Sequence, residues 1–236
     1  MKIILSPSKT QKIRKINDLE LKNIIYKKET DNLVNILKKL KKEDIKRIMK
    51  TSDKLTEEIL DSYHNFYMNE AGHAAASYTG VAFRALGIES LLNGEIEYME
   101  KSVVILSALY GVLTPLTGIR PYRLDMTMSV LDKKSLYEYW KKCIDNYFEK
   151  EELIINLASK EFSKMIKKPL TDIEFFEMKN GKPVQISTNS KKARGEMARH
   201  IITQKISDKE KIKEITFEGY KFDKKASEEN RYVFVR

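Results

Sequence analysis

The residues best suited to chemistry in this sequence are cations grouped with small polar side chains. The densest group is Asn189-Ser190-Lys191-Lys192-Ala193-Arg194-Gly195. Its composition reads as a helix start over Ala193–Ile206, with Asn189 or Ser190 as the N-cap. A helix N-terminus exposes free N–H groups and about half a positive charge, and so favours acidic residues. Lys191, Lys192 and Arg194 stand there instead, each costing up to about 1 kcal/mol unless an anion neutralises it. Free N–H groups plus three cations make a candidate anion site, and Gly195 leaves room for another backbone. Solvated side chains on a basic surface are the plain alternative.

A second group follows a β-branched run, Val103–Leu106, that reads as a central strand. It contains Ser107, Tyr110, Gly111, Thr114-Pro115, Gly118 and then Arg120-Pro121-Tyr122-Arg123-Leu124-Asp125. Ligands of open sheets gather beyond the carboxyl ends of strands, and long ordered loops are more often functional than short ones. Arg120 and Arg123 could fork onto a phosphate or carboxylate, with Asp125 orienting Arg123. An Arg–Asp pair that only pins the loop is equally open. Ser6-Pro7-Ser8-Lys9-Thr10 closes the strand expected at Lys2–Leu5 and has the flavour of a phosphate loop without its glycines. Asn156 and Ser159 close a further strand at Glu152–Leu157, and Tyr78-Thr79-Gly80 forms a similar small polar corner. Together these loops predict one polar basic cleft containing Lys9, Arg120, Arg123, Lys191, Lys192 and Arg194.

A fifth feature is a pair of helical segments, Glu43–Lys50 and Thr56–Tyr67, joined by a tight turn at Thr51–Asp53. Leu55 and Ile59 are spaced to pack back on Ile45 and Ile48. The arrangement suits a helix-hairpin-helix, whose N–H groups and lysines (Lys54 here) contact a phosphate backbone without reading bases. Such hairpins usually contain glycine; this one has none, and a plain helical corner is the alternative.

Other chemistry is poorly supplied. The single cysteine, Cys143, excludes an intramolecular disulfide and fits a partly buried helix position. His64, His73 and His200 match no zinc, haem or iron–sulfur spacing. We therefore expect no metal and no cofactor held by the chain itself, and we see no nucleophile–base pair.

The elements that must position these groups mix both types. An amphipathic helix spans Asp31–Leu40, and another, rich in aromatics, spans Ser135–Phe148. Ile173–Lys179 and Lys182–Ser187 flank Asn180-Gly181, the strongest two-residue hairpin signal. Thr216–Phe222 and Tyr232–Val235 read as closing antiparallel strands. With strands both alternating with helices and paired in hairpins, the fold class is α/β (α+β), with a mixed sheet and flanking helices. No repeat, linker or low-complexity stretch divides the 236 residues, so a single domain over 1–236 is expected.

Lys and Arg number 44 against 34 Asp and Glu, a net charge of +10, which favours a polyanionic or phosphorylated partner. The surplus is uneven. Residues 1–60 hold 16 basic and 9 acidic side chains, residues 61–160 hold 10 and 13, and residues 161–236 hold 18 and 12. Hydrophobic residues at 42% and charged residues at 33% exclude both a membrane protein and a disordered one. MKIILSP is far short of a signal-peptide core. A cytoplasmic location is expected.

The order and spacing of KIILSPSKT, TSDKL, SYTG, ILSALYGVLTPLTGIRPYRLDM, LYEYW, INLASKEF, SKKARGEMARHII, EGYKFD and YVFVR resemble the peroxide-stress-resistance family typified by YaaA over nearly the whole chain. The resemblance implies a single α/β domain with a basic cleft and a helix-hairpin-helix-like element, which falls on Ile45–Leu60. It implies DNA binding and protection against hydrogen peroxide by lowering free intracellular iron. Lys54, Arg120, Arg123, Lys191, Lys192 and Arg194 are the cleft candidates it brings. Two readings stay open: a stress protein binding DNA through backbone contacts, and an enzyme or binding protein holding a small phosphorylated or nucleotide-like molecule.

Overall fold

The computed structural model describes residues 1–236. Ten strands and ten helices follow in chain order: β1 (Lys2–Leu5), α1 (Lys27–Leu37), α2 (Lys42–Met49), α3 (Asp53–His64), β2 (Gly72–His73), α4 (Ala74–Ser77), α5 (Val81–Leu86), α6 (Asn93–Ser102), β3 (Val103–Ser107), β4 (Gly111–Leu113), β5 (Gly118–Ile119), α7 (Leu136–Phe148), β6 (Ile154–Asn156), α8 (Lys160–Ser163), β7 (Thr171–Lys179), β8 (Lys182–Val184), α9 (Ser187–Thr203), α10 (Lys209–Ile212), β9 (Lys221–Phe222) and β10 (Arg231–Val235).

The main sheet runs β4-β3-β1-β6-β7-β10-β9, with β8 paired to β7. β3, β1, β6, β7 and β10 are mutually parallel, and β4, β8 and β9 are antiparallel additions. The sheet is therefore mixed, in an α/β domain. Numbered by chain order, the five parallel strands lie 2-1-3-4-5, the doubly wound order in which connections from β1 leave to opposite sides. The crevice that this reversal opens lies between β1 and β6, beyond their carboxyl ends. Parallel strands covered on both faces should be continuous apolar runs. Ile3, Ile4 and Leu5 of β1, all five residues of β3 and all of β6 are buried accordingly. β3 lies one strand in from the β4 edge, so β1 holds the more central place.

The hairpin signal at Asn180-Gly181 is met at its turn, although the second strand ends at Val184 and Ser187 already begins α9. Asn180 and Gly181 both have positive φ, 52° and 73°, as a type I′ turn requires. Ser135 caps α7 in a capping box with Glu138, and Trp140 packs beneath Gly111 and donates to Ala108 O at 2.8 Å.

Helix α9 starts earlier than its composition predicts. It begins at Ser187, with Ile186 at the N-cap position. Asn189 and Ser190 do not cap it: Asn189 Nδ2 donates to Glu177 Oε1 at 2.6 Å, and Ser190 Oγ donates to Phe175 O at 3.4 Å. These side chains fasten the helix to β7 instead. Lys191, Lys192 and Arg194 consequently lie beyond the first turn, away from the free N–H groups.

Candidate functional site

Three loops meet at the β1/β6 crevice. Ser6 and Ser159, each just past a strand, join across it: Ser6 Oγ donates to Ser159 Oγ at 3.2 Å and accepts from Ser159 N at 2.8 Å. The Gln11 side chain then clamps the 120–125 segment. Its Nε2 donates to Tyr122 O and its Oε1 accepts from Tyr122 N, both at 3.1 Å. The third wall comes from α5 and α9. Gly195 makes their contact possible, since a Cβ there would stand 2.0 Å from Ala82 O. These elements enclose a cleft of about 510 Å³. An apolar base including Leu5, Phe83, Leu157 and Phe162 carries Ser6, Ser8, Ser159, four cations and two carboxylates.

The cations are Lys9, Arg123, Lys191 and Arg194, and the carboxylates are Asp125 and Glu161. Lys9 Nζ lies 2.6 Å from Asp125 Oδ2, so that pair neutralises itself. Arg123 and Arg194 are different. Each lines the cleft, and each has a buried Nε with no hydrogen-bond partner. Neither takes part in an ion pair. Burial holds the Arg194 guanidinium below its usual pKa, against the more distant pull of Glu174 and Asp172. Glu161 accepts from Met126 N through Oε1 at 3.0 Å. Burial, and then the Asp125 charge, raise its carboxyl above the ordinary glutamate value. Tyr122 supplies a neutral wall. Its hydroxyl sits between Tyr78 (2.8 Å) and Ser107 (2.9 Å), and burial pushes it up to about 12.

Of the residues singled out in the sequence, Ser6, Ser8, Lys9, Arg123, Asp125, Ser159, Lys191 and Arg194 come together here. Thr10, Gly80, Tyr122 and Leu124 from the same segments line it too, and the remaining candidates lie elsewhere, each for a physical reason. Ser107 and Tyr78 are buried behind the cleft as partners of Tyr122. Tyr110 is buried too, its hydroxyl bracing both Arg120 N and Arg120 O. Arg120 turns away from the cleft, donating to Asn69 O at 3.0 Å above the Phe66 ring. Asn156 is occupied by Asp172 and Ala158 N. The Thr79 carbonyl accepts from Arg84. Lys192 pairs with Glu218 on the surface. Lys54 is exposed on the α2–α3 corner, outside the cleft.

Sequence reasoning missed Gln11 and Glu161. Gln11 continues the Ser6–Thr10 loop by one residue, and Glu161 follows Ser159 by two. Loop residues just past a strand end were the available signal.

A sheet with this parallel order, and a charged cleft at its reversal point, define an α/β protein built around a strand-end crevice. The chain belongs to the family described as peroxide stress protein YaaA, whose model matches residues 1–226. It is 35% identical to a UPF0246 protein of Fusobacterium nucleatum over 100% of this chain and 99% of that one. It is 37% identical to UPF0246 proteins of Agathobacter rectalis and Finegoldia magna, again over 100% of this chain and 99% and 98% of theirs. No helix is long and apolar enough to cross a membrane.

Proposed function

We propose that this protein serves its family's peroxide-stress role through the β1/β6 cleft, and that the cleft holds a small phosphorylated or nucleotide-like molecule. The carrying observation is the pair of guanidiniums, Arg123 and Arg194, that line the cleft with their Nε atoms buried and unpartnered. Buried charged groups are normally paired, because leaving one unpaired is costly. An oxyanion that accepts from these guanidiniums removes that cost, and guanidinium forks match phosphate geometry. About 510 Å³ is the size of an ordinary small-molecule site. Titration with inorganic pyrophosphate and nucleoside phosphates, followed by calorimetry, tests this. Saturable binding that is lost in Arg123→Ala and Arg194→Ala supports it; equal binding by those variants contradicts it.

DNA contact is the second reading, and the α2–α3 corner favours it. Lys50 closes α2 in the left-handed conformation, φ 50°, taking the role a glycine has in such hairpins. Against this, Lys42, Lys46 and Arg47 are already paired with Glu57, Asp53 and Asp44. If the corner grips about five phosphates, log K falls with log salt at a slope near −4.5.

Neither His73 nor His200 lines the cleft. His73 is buried, with Nδ1 accepting from Ile16 N at 2.9 Å. His200 stacks against Phe217 at 5.4 Å.

A further inference from the structure

The two carboxylates of the cleft have no place in an anion site, yet both line it. Asp125 is largely accounted for by Lys9. Glu161 is not. Its Oε1 takes the Met126 N–H, and its Oε2 has no partner in the protein. No carboxylate forms an ion pair with Arg123, Lys191 or Arg194. The charges felt by Glu161 are those of Asp125 and Lys9, whereas those felt by Arg194 are Glu174 and Asp172. The cleft lining thus carries two guanidiniums outside any ion pair and, besides them, a carboxylate with one oxygen that accepts nothing from the protein. Apolar surface from Phe83, Leu157 and Phe162 also lines it.

We infer that the molecule held in this cleft is amphoteric: a phosphate ester whose far end is a flat ring bearing an amino group, which donates to Glu161 Oε2. This rests on the oxyanion reading above and names the class of molecule within it. A sugar phosphate would satisfy the arginines and leave both the apolar wall and the Glu161 oxygen unused. An anionic ring would be repelled by Asp125 and Glu161. A nucleoside monophosphate with an amino-bearing base meets all three surfaces. A hydrogen bond to a charged acceptor typically contributes about 1.5–3 kcal/mol, which is about tenfold or more in affinity.

The test compares ribose 5-phosphate with the 5′-monophosphates of adenosine, guanosine and cytidine, by calorimetry on the full chain. At least one nucleotide should bind about tenfold tighter than ribose 5-phosphate. Glu161→Gln is the informative variant. Its carbonyl oxygen can keep the bond from Met126 N while its NH2 faces the cleft, turning an acceptor into a donor. In that variant the nucleotide's margin should shrink to what ring contact with the apolar wall supplies, while ribose 5-phosphate, relieved of a nearby negative charge, should bind at least as tightly as before. Nucleotides no tighter than ribose 5-phosphate, or a margin that Glu161→Gln leaves undiminished, would overturn the inference while leaving the oxyanion site standing. Failure of ribose 5-phosphate and of every nucleotide to bind would overturn both. Urea denaturation of the variant confirms that a reduced margin reflects the contact and not a loss of fold.

Discussion

At the scale of single residues, the protein keeps two costly groups where a more stable sequence would not. Arg194 is a largely buried cation with an orphaned Nε. Replacing it with Met, apolar and of similar length, should raise stability by about 1 kcal/mol, in the way binding-site substitutions often do. The same change should weaken anion binding by about tenfold or more. Urea midpoints and calorimetry on one sample check both halves. Glu161 adds a pH signature. Its carboxyl is raised, by burial first and Asp125 second, so the folded state holds that proton more tightly than the unfolded chain. The stability contribution is then lost as pH climbs from the ordinary glutamate range through the raised value. Glu161→Gln should match the natural chain at about pH 4 and gain on it by about pH 7, measured by urea denaturation. A constant difference at both pH values would contradict the assignment. Residue types alone disclosed the cations but not which of them were free. Lys9 and Lys192 look like Lys191 in sequence, and only folding brings Asp125 and Glu218 to neutralise them.

At the scale of elements, the cleft depends on how closely α9 lies against α5. Gly195 sets that distance, and an added methyl would meet the Ala82 backbone, which cannot step aside. Gly195→Ala should cost about 2–3 kcal/mol by overpacking and weaken ligand binding with it, because Arg194 and Ala82 share the cleft wall. Gly181→Ala is the control: its Cβ meets nothing within 4 Å, so only its positive φ is penalised, by about 1 kcal/mol. Lys50→Gly should act in the opposite sense and stabilise the α2–α3 corner by about 1 kcal/mol, since Lys50 occupies a left-handed conformation. Elements with strong local signals were legible: β1, β3, α7, and the hairpin with its two turn residues. The start of α9 was not. Asn189 and Ser190 have the composition of caps, but Glu177 and Phe175 on β7 claim their side chains. That competition is tertiary, and no local window contains it. The loop after β3 misled for a related reason. Ser107, Tyr110 and Arg120 are polar, yet they serve to hold the 118–125 segment in place.

At the scale of the whole molecule, charge and topology point to different kinds of partner. A net charge of +10 attracts any polyanion at long range, whereas the crevice between β1 and β6 is a local, concave site. The two behave differently in salt. Polyanion binding through many phosphates declines steeply with salt, and binding of one phosphate by a few cations does so far more gently. The mixed-sheet fold was legible from the alternation of strands and helices. The position of the cleft was not, because it follows from the 2-1-3-4-5 strand order, which no segment encodes by itself. The most direct test is one calorimetric series on the natural chain and on the Arg123→Ala/Arg194→Ala double variant. It titrates nucleoside monophosphates and a DNA duplex at low and moderate salt. A nucleotide should bind saturably at one site, with weak dependence on salt, and its binding should be abolished in the double variant. Nucleotides that fail to bind, together with DNA binding that is steep in salt and intact in the double variant, would contradict this expectation.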